Sequence, residues 1–107
     1  MTRRDFDRPF ITQDAMGIYA AKNKAIGRRY GQLARATKLS NVEYRTRFGR
    51  FGASNNMRAP PSCGRIFIGY LVVRHFRSPG QYETWMAEDA FAQQYYWKAD
   101  ASPLESE

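Results

Sequence analysis

The sequence predicts an α+β fold: a long N-terminal basic helix, a small antiparallel sheet with its central strand at about 65–76, and an aromatic C-terminal helix. Three observations carry that reading. Between Gln13 and about Lys38, the residues Met16, Tyr19, Ile26, Tyr30 and Leu33 recur at spacings of three, four and seven, the period of one helix face. From Arg65 to Phe76 both alternating sets are apolar, with Ile66, Ile68, Tyr70 and Val72 opposite Phe67, Leu71 and Val73. A strand of that kind is covered on both faces. Finally, Ser78-Pro79-Gly80-Gln81 reads as a helix start, with a capping serine, proline in the first turn and glutamine to close a capping box.

Taken in order, residues 1–11 form an N-terminal arm that Phe6, Phe10 and Ile11 can pin to the body. Thr12 is placed to cap the first helix, with Asp14 in its first turn. Gly27 and Gly31 each cost that helix about 1 kcal/mol relative to alanine, or mark a break into two shorter helices. Residues 42–51 alternate, Val42, Tyr44, Thr46 and Phe48 against Glu43, Arg45 and Arg47, which predicts a half-exposed strand. The stretch Gly49–Gly64 is rich in Gly, Ser, Asn and Pro and reads as a long loop. The C-terminal helix should run to about Trp97, and Lys98–Glu107 is expected to be a disordered acidic tail. That leaves 12–97 as a single α+β domain. Two strands alone are rarely stable, so the arm or a partner chain is expected to add another.

Composition narrows the function. The longest apolar run, Ile66–Val73, is far short of the ~20 residues a membrane-spanning helix needs. No apolar core follows the first arginines, so a secretory signal is not expected. Cys63 is the only cysteine and His75 the only histidine, which leaves neither an internal disulfide nor a Cys/His zinc site. A reduced cytoplasmic setting, no cofactor and no metal are therefore expected. The chain carries a net charge of +7, unevenly spread. Residues 1–77 hold sixteen Lys/Arg and four acids, whereas 78–107 hold one lysine and six acids. A field of this sign draws in phosphate polymers or acidic protein surfaces.

The cations form two candidate surfaces. On the predicted first helix, Lys24, Arg28, Arg35 and Lys38 fall within roughly an 80° arc, clear of the apolar stripe, with Lys22 and Arg29 at its other edge. On the predicted strand and loop, Arg45, Arg47, Arg50 and Arg58 interleave with Phe51, a combination suited to phosphates and stacked bases. A helix-turn-helix over Gln32–Ser40 would instead make 41–48 a recognition helix, but Lys38 stands where a turn glycine is usual. Trp85 and Phe91 with Tyr95 place aromatics on two sides of the C-terminal helix, which suggests a partner interface and a homodimer. The leading expectation is a small non-catalytic nucleic-acid-binding protein, DNA and RNA unresolved. The first alternative is an interaction module or inhibitor, of viral or mobile-element type, that docks on an acidic host protein. The second is a small ribonuclease toxin of the RelE and ParE sort, with His75 as general base and Glu43 or Tyr44 beside it.

Overall fold

The apolar run at 66–73 does supply a strand, and four others join it. The computed structural model describes residues 8–61 and 64–99. In chain order these form β1 (Gly17–Ala21), α1 (Lys24–Tyr30), β2 (Leu33–Ser40), α2 (Asn41–Phe51), β3 (Ile68–Arg74), β4 (Tyr82–Ala87), α3 (Glu88–Gln94) and β5 (Tyr95–Ala99). The fold is α+β, a five-stranded antiparallel sheet in the order β4-β3-β2-β1-β5. The middle position belongs to β2, and the 65–76 strand, shortened to β3, lies beside it.

The long first helix is replaced by strand, helix and strand. Asn23 caps α1 through its side chain, which accepts from the Ile26 amide, and Gly31 ends it at a φ of 102°. Beyond that glycine, the helix-prone composition of Leu33–Ser40 yields to pairing on both sides: Arg35 sits opposite Ile18 of β1 and Val73 of β3. Ala34 and Ala36 are small because Phe91 and Tyr95 pack onto them.

The predicted 42–51 strand is a helix. Ser40 Oγ accepts from the Glu43 amide while Glu43 Oε1 accepts from the Ser40 amide, a complete capping box. Asn41, Tyr44 and Arg47 then face inward at helical spacing. The expected loop begins as the end of α2 and includes an isolated bridge from Met57 to Glu83. The predicted C-terminal helix divides into β4, a seven-residue α3 and β5. Ser78 and Gln81 close a turn rather than start a helix, Ser78 Oγ donating to the His75 carbonyl and Gln81 Oε1 accepting from the Arg77 amide. Lys98 and Ala99 belong to β5 and not to a tail. Of the arm and tail, residues 1–7 and 100–107 lie outside the described residues.

The two sheet faces carry separate cores. Under α2, Met16, Leu39, Tyr44, Met57, Leu71 and Val73 are buried together. Under α3, Ala34, Ala36 and Val72 meet Phe91 and Tyr95. Trp85 crosses the first face over Gly69 and donates its indole N–H to the Leu39 carbonyl at 2.9 Å. The glycine is required there, since a Cβ would collide with the indole ring and the Met86 carbonyl.

An ion pair ties α2 to β4 at the bottom of the first core. Arg47 and Glu83 are 1% and 0% exposed. Glu83 also accepts from Gln13 Nε2 and Asn55 Nδ2, and Arg47 Nη1 donates to the Pro9 and Ile11 carbonyls. A buried pair is tolerated when its remaining donors and acceptors are satisfied in this way.

Candidate anion-binding cleft

Antiparallel order brings the 22–32 connection, which contains α1, and the 75–81 turn to the same end of the sheet. The two are tied together where the His75 amide donates to the Tyr30 carbonyl at 3.0 Å. Together they carry five exposed cations, Lys22, Lys24, Arg28, Arg29 and Arg77, and no acid. The opposite end differs. There Arg8 pairs with Glu43 at 3.3 Å and Lys38 with Glu88 at 3.5 Å. The two ends of one sheet therefore differ in how their cations are compensated.

Between the two connections lies a cleft of about 640 Å³ on the α2 side of the sheet. It opens because α2 covers only part of that face; Leu33 and Tyr96 remain 45% and 50% exposed. Ile18 and Leu33, from neighbouring strands, and Phe76 form an apolar floor. Arg35, Arg77 and His75 supply polar walls. The guanidinium groups of Arg35 and Arg77 both lie over the Phe76 ring, 5.1 and 5.3 Å from its centre.

Arg35 is 5% exposed. Its Nη1 donates to the Met16 carbonyl at 2.9 Å and the Asp14 carbonyl at 3.3 Å. Among the described residues no carboxylate stands within ion-pair distance of either Arg35 or Arg77. Carbonyls satisfy donors but leave the charge uncompensated, and a desolvated cation without a counter-ion favours an anion beside it.

The turn that carries Phe76 is strained. His75 and Arg77 adopt φ values of 55° and 66°, a left-handed conformation that costs L-residues roughly 1–2 kcal/mol each. Local hydrogen bonds hold it: the Ser78 amide and hydroxyl both donate to the His75 carbonyl, and the Arg77 amide donates to Gln81. Strain of this kind concentrates at binding and catalytic sites.

The residues predicted from sequence are dispersed. Lys24 and Arg28 stand at the cationic end, and Arg35 lines the cleft. Lys38 is at the other end, paired with Glu88. Arg45 and Arg50 are exposed on α2, Arg45 donating to the Pro61 carbonyl and Arg50 lying over Phe10 and Phe51. Phe51 packs against the core, so it is not a free stacking platform. Arg47 is withdrawn into the ion pair with Glu83, which corrects its assignment to an exposed strand face. Arg58 lies over the Tyr82 ring at 3.9 Å. The helical stripe does not exist, because Lys24 and Arg28 sit on α1 while Arg35 and Lys38 sit on β2.

The aromatic interface is likewise corrected. Phe91 stacks on Tyr70 at 4.2 Å and on Tyr95 at 5.4 Å, and both Phe91 and Tyr95 are buried. With Trp85 packed against the first core, these side chains pack within the fold. A helix-turn-helix is also ruled out, since a strand precedes α2. His75 has no acid beside it from the residues named for catalysis. Glu43 is held in the capping box, and the Tyr44 hydroxyl donates to the Arg58 carbonyl. Phe76 and Arg77 were not singled out from sequence, and no pattern in the strand-end stretch Arg74–Ser78 marks them.

Compared with protein-family models, curated proteins and solved structures, the chain matches none. Among the described residues no helix is long and apolar enough to cross a membrane, and no group of three or more His, Cys, Asp or Glu is placed to hold a metal ion.

Proposed function

We propose that this protein binds nucleic acid without catalysis, gripping phosphates at the end of the sheet formed by α1 and the 75–81 turn. One observation carries the reading: five exposed cations stand there with no acid in either connection, while at the opposite end Arg8 and Lys38 are paired with Glu43 and Glu88. A duplex or single strand presents closely spaced phosphates, and lysines and arginines grouped on one surface answer that spacing. Lys22, Lys24, Arg28, Arg29 and Arg77 are the grip. Arg45 and Arg50 on α2 and Arg58 beyond it lie outside these two connections and make a second line.

Titration against labelled single-stranded DNA, duplex DNA and RNA across a salt series tests this. Affinity should fall steeply with salt, because each neutralised phosphate releases counterion. Absence of binding at low salt would refute the proposal and turn the same surface into a dock for an acidic protein.

A further inference from the structure

We infer that the cleft beside this grip receives one unpaired nucleotide, its base on the Ile18–Leu33–Phe76 floor and its phosphate at Arg77 and Arg35. The inference rests on the nucleic-acid reading and adds to it a single-strand preference.

The size is suitable: about 640 Å³ falls inside the range of ordinary small-molecule pockets. The chemistry is two-sided. An apolar floor disfavours a bare inorganic anion, and two cations without carboxylates disfavour a neutral apolar ligand. A nucleotide satisfies both, because it joins a planar π-face to an anion. The wall offers both chemistries at once, since both guanidinium groups lie 5.1 and 5.3 Å from the centre of the Phe76 ring. Bases stack on such rings and planes in proteins that hold single strands. A base inside a duplex is paired and stacked and cannot enter a recess, so the cleft selects unpaired nucleotides. Its shape is set before binding by the left-handed backbone at His75 and Arg77. Leu33, the exposed part of the cleft floor, is the side chain whose contact with the base costs the fold least to alter.

Uridine and adenosine monophosphates, ribose 5-phosphate and inorganic phosphate are titrated into isotope-labelled full-length protein, following amide shifts by NMR. The mononucleotides should move the amides of Leu33, His75, Phe76 and Arg77 saturably, and ribose 5-phosphate should bind about tenfold more weakly, the loss expected when a stacked base is absent. Leu33→Asp and Arg77→Ala should each weaken mononucleotide binding about tenfold and reduce the preference for single strand over duplex. Should Arg77→Ala unfold, Leu33→Asp, at an exposed position, decides the matter. The inference is overturned if oligonucleotides bind but mononucleotides leave these amides unmoved and Leu33→Asp binds single strands like the parent. It is overturned equally if ribose 5-phosphate binds as well as the mononucleotides. Both outcomes leave phosphate gripping at α1 standing, whereas loss of all oligonucleotide binding at low salt removes both readings.

Discussion

Arg47 and Glu83 are 36 residues apart in sequence and meet as a two-point ion pair, Nε to Oε1 at 2.7 Å and Nη2 to Oε2 at 2.9 Å. Glu83 is the one acid in β4 and Arg47 the one arginine on the inward face of α2, so the pair fixes how the helix lies on the sheet. Removing either partner strands a buried charge. Arg47→Met and Glu83→Gln should each destabilise the fold by about 3–5 kcal/mol. The double variant should lose less than the sum, by about 0.5–3 kcal/mol, in urea denaturation.

Tyr44 gives the fold an alkaline limit. Burial, reinforced by the Glu83 carboxylate, raises its phenol above the usual value, and burial does the same for Tyr95 and Tyr19. The folded state therefore holds these protons more tightly than the unfolded chain. Stability is full below about pH 10, where an unfolded tyrosine titrates, and falls as pH rises beyond it. Tyr44→Phe should flatten that decline, measured as urea midpoints on either side of this pH.

The capping box should be worth measuring alone. Ser40→Ala removes the acceptor for the Glu43 amide and should cost about 1 kcal/mol. Glu43→Gln keeps the cap geometry while losing the ion pair to exposed Arg8, and should cost little. Thermal unfolding of the two variants separates the contributions.

Gly69 tests the crossing of Trp85. Gly69→Ala pushes a methyl group into the indole and the Met86 carbonyl, and should destabilise by about 1–3 kcal/mol. Displacement of the indole should also shift tryptophan fluorescence.

The strand at Ile68–Arg74 was legible because its apolar residues fill both alternating sets, and the α+β class followed from it. The count along the chain showed an excess of cations before residue 78, but not their grouping at one end of the sheet, since Lys22 to Arg29 and Arg77 are brought together only by the strand pairing. The helix at 41–51 was misread because Tyr44 and Phe48 satisfy a period of two as well as a helical one. Ser40 and Glu43, at capping-box spacing, held the missing signal. The 13–38 segment failed for another reason: the alanines, Arg35 and Lys38 of β2 favour a helix locally, and only pairing with β1 and β3 overrides that preference. The cleft depends on contacts that cross the chain. Arg35 and Phe76 are 41 positions apart, and nothing in either local sequence announces that a guanidinium will lie on that ring. Arg47 was misassigned to the surface because period two set it opposite Tyr44 and Phe48, whereas helical spacing turns it inward with Asn41 and Tyr44.

The most direct measurement compares two alanine variants with the parent for single-stranded oligonucleotide binding across a salt series. One replaces Lys24, Arg28 and Arg29 on α1, and the other replaces Arg45 and Arg50 on α2. Alanine suits exposed helix positions, so both should fold. The α1 variant should lose affinity strongly and its salt slope should fall by about 2, as contacts to phosphate are lost. The α2 variant should change much less. Equal losses from the two surfaces, or an α1 variant that binds like the parent, would contradict the account.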